Sequence, residues 1–151
     1  MPQSHAQVWL HIVFSTKNRD PCLKDPEFRD QMFRMLAHHV KETGCVFAIV
    51  GGHVDQVHLL VGLSRTWKIC KLIEVIKSET SKWAKRVPEE NQGFACQSGY
   101  GVFSVSYSNL DKVERSIKNQ ESHHAKFTYQ DEFRLLCQTH GIEIDERYVW
   151  D

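Results

Sequence analysis

The sequence predicts an α+β fold: an antiparallel sheet and helices in the order β-α-β-β-α-β, with additional C-terminal helices. Three observations carry that expectation. Apolar residues alternate with period two, or run on uninterrupted, in four short stretches. They recur at helical spacing in two longer stretches between those, and glycine, proline or short polar clusters mark the boundaries. At 151 residues the chain is most simply one domain, residues 1–151, large enough to bury its own core.

Residues 7–16 alternate Val8, Leu10, Ile12 and Phe14 against Trp9, His11 and Val13, as a strand buried on at least one side does. The polar, partly basic Lys17-Asn18-Arg19-Asp20-Pro21 follows as a loop. Asp25 before Pro26 suits a helix start, and Phe28, Met32, Met35, Leu36 and Val40 form the stripe of that helix. Gly44 suits its left-handed cap. Residues 45–50 read as a second strand, and Gly51-Gly52 can turn the backbone into a third over residues 54–63. In that third strand Val57, Leu59 and Val61 share one face, and Gln56, His58 and Leu60 the other.

After Ser64-Arg65-Thr66, a second helix carries Ile69, Leu72, Ile73, Ile76 and Trp83 on its apolar stripe. Lys68, Lys71, Lys77, Lys82 and Lys85 lie elsewhere on it, as a solvated face would. Residues 99–106 read as the fourth strand, which completes the ferredoxin-like order, with the two helices on one face of the sheet. A further helix starts near Ser108, with Ser108 and Asp111 as a capping box, and runs to about residue 125. Leu110, Val113 and Ile117 are its apolar side, and Ser116 and Gln120, four apart, are neighbours on one face. A last helix over residues 130–139 carries Phe133, Leu135, Leu136 and Cys137 and stops at Gly141. Tyr148, Val149 and Trp150 near the C-terminus pack on this subunit or on a partner.

Hydrophobic content of 41% and charged content of 25% belong to an ordinary globular protein, so disordered and fibrous classes drop out. The formal net charge is zero, so a basic surface for nucleic acid must be local. The 5 cysteines are an odd number without a C-x-x-C pair, which favours reduced core thiols over disulfides or zinc ligands. With no signal peptide ahead of the first strand and no apolar run of bilayer length, the expected compartment is the cytoplasm, with no membrane partner.

Gln56 and His58 point the same way from one strand, a plausible platform for a metal or a phosphate. The plainer reading is a histidine hydrogen-bonded at a sheet surface. Three blocks bear on the choice. They are His11-Ile12-Val13-Phe14-Ser15-Thr16-Lys17-Asn18-Arg19 at the start and Gly51-Gly52-x-x-Asp55-x-Val57-His58-Leu59-Leu60-Val61 in the centre, followed by a long C-terminal block. The last comprises Gly99-Tyr100-Gly101-x-Phe103-Ser104-Val105-Ser106, Ile117-x-Asn119-Gln120-Glu121-x-His123-His124 and His140-Gly141-Ile142-x-x-Asp145-Glu146-Arg147-Tyr148-Val149-Trp150-Asp151. Together they resemble the HUH single-tyrosine transposases of bacterial insertion sequences and their repeat-associated relatives.

The resemblance implies cleavage and rejoining of single-stranded DNA through a 5′-phosphotyrosine link. It also implies a divalent metal, Mg or Mn, held by a His-hydrophobic-His pair and a helical glutamine. Carried over by position, the second histidine is His58 and the glutamine is Gln120, while Gln56 stands at the first histidine and Ser116 at the tyrosine. A neutral amide is a weaker ligand than imidazole, so the metal is expected to bind weakly. Serine is shorter and far less acidic than tyrosine, so Ser116 is expected to be inactive, with Tyr107 or Tyr129 as improbable substitutes. His53 points elsewhere from its turn, and His123 and His124 are expected around the site or facing DNA.

The function expected on these grounds is a transposase-family protein, catalytically impaired but still binding single-stranded or hairpin DNA. Lys17, Arg19, Lys68 and Lys71 are its candidate DNA contacts. The alternatives are an active metal-dependent nuclease or transposase with another nucleophile, and a non-catalytic interaction domain or remnant. The resemblance further implies a homodimer, with Gln120 reaching His58 most plausibly from the partner subunit.

Overall fold

Four strands form one antiparallel sheet in the order β2-β3-β1-β4 in the computed structural model, which describes residues 3–87, 94–120 and 127–151. β1 (Trp9–Ser15) and β3 (Gln56–Gly62) lie at the centre, paired from Trp9↔Gly62 to Ser15↔Gln56. β2 (Val46–Gly52) and β4 (Gly101–Val105) form the edges, and β2 carries an irregularity between Phe47 and Ile49. The connections through α1 (Pro26–Glu42) and α2 (Ile69–Ala84) are those of the ferredoxin-like arrangement.

The period-two alternation sorts the central strands onto two faces. Leu10, Ile12, Phe14, Val57, Leu59 and Val61 meet Phe28, Met32 and Leu36 of α1 and Leu72, Ile73 and Ile76 of α2 in the main core. Asp25 caps α1 by accepting from the Glu27 N–H, Pro26 occupies its first turn, and Gly44 follows with φ of 83°. Lys77 departs from the solvated face expected of it. Its Nζ donates to the carbonyls of Gln97 (2.9 Å) and Gly99 (2.7 Å) and lies over the Phe14 ring, and this burial lowers its pKa.

The opposite face is covered too. α3 (Leu110–Lys118) lies against β2 and β3, and α4 (Tyr129–Thr139) packs Tyr129, Phe133 and Cys137 on Val13 and Phe103. α3 starts two residues later than expected, with a 3-10 turn at Tyr107–Asn109 before it and Asn109 as its N-cap, and the expected last residues, 121–125, lie outside the described ones. Ser108 therefore caps nothing, and its hydroxyl lies 3.1 Å from that of Ser106. α4 is capped by Thr128, which accepts from Asp131 N–H, and of the apolar residues it carries Leu135 is exposed.

Val149 and Trp150 of the aromatic tail pack within their own chain, and Tyr148 is exposed. Trp150 meets Phe133 edge-on at 5.8 Å between ring centroids, lies under the Arg134 guanidinium at 5.0 Å, and donates from its indole N–H to Glu146 at 2.9 Å. Trp150→Ala should cost about 1–2 kcal/mol of stability, read as a lower urea midpoint at unchanged slope. All 5 cysteines are free thiols, and among the described residues no helix is long and apolar enough to cross a membrane.

Candidate metal and nucleic-acid site

β3 presents Gln56 and His58 to the α3–α4 side of the sheet, both with no solvent exposure. His58 lies opposite Val13 in the ladder and diagonal to His11, so the two rings meet, with His11 Nε2 3.0 Å from His58 Nδ1. Burial drives the His11 pKa down from 6.5 to about 4, against the opposing pull of Glu132, so this imidazole is neutral at pH 7. On its other side His58 Nε2 is 3.3 Å from Oε1 of Glu132.

Glu132 sits in the first turn of α4, where the positive end of the helix favours a carboxylate. Its Oε1 also accepts from Gln120 Nε2 at 3.2 Å, and the same amide nitrogen reaches the Ser116 carbonyl at 3.2 Å. His11, His58, Glu132 and Gln120 thus form a buried polar chain linking β1, β3, α4 and the end of α3. The approach of α3 depends on Gly51, where a Cβ would collide with the Ile117 carbonyl oxygen and lie 2.9 Å from its Cγ2.

Gln120 reaches this cluster within its own chain, whereas the sequence pointed to a partner subunit. Gln120 and Ser116 do not share one helical face, because α3 ends at Lys118 and Asn119 leaves helical geometry (φ −99°, ψ 20°). Gln120 is buried, while Ser116 is exposed on the wall of a cleft of about 280 Å³. Asn109, Lys112, Val113 and Ser116 line one side of this cleft, with His11 and Phe103 at its floor and His140 opposite. Among the described residues the Ser116 hydroxyl is hydrogen-bonded to neither imidazole: His11 Nε2 faces His58, and His140 Nδ1 lies 2.8 Å from the Leu136 carbonyl.

Tyr107 is 75% exposed and more than two helical turns ahead of Ser116. The hydroxyl of Tyr129 donates to Gln97 Oε1 at 3.1 Å, and burial, then Asp55 and Glu132, pushes its pKa upward, away from nucleophilic character. Lys17 and Arg19 lie in the turn after β1, and the Arg19 guanidinium is 6.0 Å from the Trp150 ring on the α4 side. Lys68 and Lys71 are exposed on α2, in the layer across the sheet from His58, with Lys71 paired to Glu74 at 3.4 Å. They are therefore not brought to this site. His53 lies in the β2–β3 turn, where its backbone N–H donates to the Gln56 carbonyl at 3.2 Å. His123 and His124 lie outside the described residues.

The cluster meets the chemical requirement for a hard divalent cation. Both amide atoms of Gln56 and Oε1 of Gln120 are buried without a hydrogen-bond partner among the described residues. Such a group costs about 1–3 kcal/mol of stability when left unsatisfied, and a cation accepting these oxygens would relieve it. An imidazole nitrogen with amide and carboxylate oxygens suits Mn or Mg better than a thiolate-preferring metal.

Glu132 and His11 escaped the sequence-based reading of the site. The signal for Glu132 was present: it falls on the stripe Tyr129, Glu132, Phe133 and Cys137, a carboxylate among residues spaced to be buried.

The fold has counterparts among solved structures. A protein from Deinococcus radiodurans R1 assigned to the transposases aligns with a TM-score of 0.58 at 22% identity, over 80% of this chain and 98% of that one. A REP-associated tyrosine transposase bound to a REP hairpin aligns with a TM-score of 0.59 at 13% identity, over 90% of this chain and 88% of that one. No curated protein matches the sequence. The family model described as "Transposase IS200 like" matches residues 4–120, which takes in all four strands, α1 to α3, His58 and Gln120. The chain is a member of the IS200-like transposase family.

Proposed function

We propose that this transposase-family chain binds single-stranded or hairpin DNA at the α3–α4 face and no longer forms the covalent protein–DNA link. The observation that carries the reading is the contrast at the end of α3. The buried His58–Glu132–Gln120 contacts stand complete, while the position four residues before Gln120 offers only an exposed serine hydroxyl. A divalent cation, when bound, neutralises phosphoryl charge and polarises a non-bridging oxygen. His58, Gln120 and Gln56 are the residues that would hold it.

Binding survives the loss of chemistry because affinity for nucleic acid comes chiefly from phosphate contacts and base stacking. Lys112 on the cleft wall and Lys17 and Arg19 after β1 are on hand for phosphates. Lys68 and Lys71, across the sheet, are not needed for this surface. The repeat-associated transposase of like fold, which holds a DNA hairpin, adds the substrate class.

The test is a salt titration of binding to a hairpin-bearing single strand. Log affinity should fall by about 0.7 per neutralised phosphate for each unit rise in log salt. Lys112→Ala and Arg19→Ala should each weaken binding and flatten the slope, while Lys68→Ala should change neither. Undetectable binding at low salt would favour a remnant or an interaction domain. For a homodimer the supporting features are the pair of edge strands and the exposed Tyr148, while Gln120 and Trp150 make their contacts within one chain. Light scattering at micromolar concentration reports it.

A further inference from the structure

We infer that Glu132 is the anionic ligand of this site, supplying the carboxylate that makes a divalent cation tenable where Gln56 replaces an imidazole. The inference rests on the metal-binding reading above and deepens it. His58, Gln56 and Gln120 are all neutral ligands, and a doubly charged ion buried among them alone would carry its full charge into a poorly solvated interior. Glu132, 8% exposed and with its Oε1 3.3 Å from His58 Nε2 and 3.2 Å from Gln120 Nε2, halves that charge at the required place.

Two further observations point to a ligand there. The Gln56 amide, with no exposure, and Oε1 of Gln120 lack partners among the described residues. The second ring nitrogen of His58 already faces His11, the orienting contact that a metal-bound imidazole commonly has. Hard cations such as Mn and Mg favour carboxylate and amide oxygens, so a His, Glu and two Gln are a coherent donor set. The expectation of weak binding counted His58 and two amides but no carboxylate, and Glu132 removes its premise.

The experiment is Mn²⁺ binding to the full-length protein without DNA, by calorimetry and by electron–nuclear double resonance on protein with ¹³C-labelled glutamate carboxylates. Wild type should bind one Mn²⁺ with a resolved carboxylate ¹³C coupling. Glu132→Gln, nearly isosteric and still able to bond Gln120, should weaken Mn²⁺ at least about tenfold and abolish the coupling. Asp131→Asn, one residue earlier and exposed, should change neither. A residue that merely positioned His58 could also cost tenfold, so the coupling decides between ligand and support.

Should Glu132→Gln fail to fold, the coupling in wild type alone settles the question. Mn²⁺ bound through His58, and lost in His58→Ala, with no carboxylate coupling would overturn the role of Glu132 and leave the metal-binding reading standing. No Mn²⁺ bound by wild type at millimolar concentration would overturn both.

Discussion

Incubated with hairpin-bearing single-stranded DNA and Mn²⁺, the wild-type protein should yield no covalent protein–DNA product. Ser116→Tyr combined with Gln56→His should yield one, at least about 10²-fold above the wild-type background. The reason lies in the local geometry. Ser116 faces the cleft beside His11 one helical turn before Gln120, so a tyrosine there projects into open space rather than into the core. A phenol is more acidic than an aliphatic hydroxyl and is also the better leaving group, which a reversible covalent step requires. Gln56→His replaces a fully buried amide that has no hydrogen-bond partner among the described residues, so little existing bonding is lost. Adding His58→Ala should remove the product, whereas Tyr107→Phe and Tyr129→Phe should leave it. A wild-type adduct that disappears in Ser116→Ala or Tyr107→Phe would show that the chain still has its own nucleophile. The assay is gel retention after denaturation, with labelled DNA.

Gly51→Ala should destabilise the protein by about 3 kcal/mol, the upper range for forcing atoms into packed space. Its Cβ would meet the Ile117 backbone carbonyl, and a backbone atom in a helix cannot step aside as a side-chain tip can. α3 would have to lift from β2, taking Gln120 with it. Hydrogen exchange should therefore rise over residues 110–118 while α1 and α2 stay protected. Gly44→Ala separates this steric effect from a conformational one. Nothing lies within 4 Å of its Cβ, but its φ of 83° disfavours alanine, so a cost of about 1 kcal/mol is expected, with no change at α3.

The sheet was legible because its central strands alternate so regularly: Val57, Leu59 and Val61 could share only one face, which sent Gln56 and His58 to the other. α1 was legible from both ends, through Asp25-Pro26 and Gly44. Polar residues with tertiary partners were not. Gln97 accepts from Ser15 N–H and the Tyr129 hydroxyl and donates to the Asp151 carbonyl, contacts 32 to 82 residues apart that no local pattern encodes. Lys77 looked like its solvated neighbours until the carbonyls of Gln97 and Gly99 came over it. The alternation of β3 offered His58 with Gln56 as a platform and the resemblance added Gln120, whereas a glutamate in a first helical turn, such as Glu132, is common on stability grounds alone.

The two halves of the chemistry are embedded differently in the fold. His58, Glu132 and Gln120 are buried and hold four elements together, so a substitution there is felt first as a folding defect. Ser116 is exposed and touches the cluster only through its backbone carbonyl. A substitution at His58, Glu132 or Gln120 is therefore expected to lower stability, and one at Ser116 to leave it unchanged, whatever the chain does to DNA. Change at position 116 is likewise expected to carry no penalty in solubility, whereas change at the fully buried Gln56 must be absorbed by the packing around it, so the two departing positions differ in how freely they can vary.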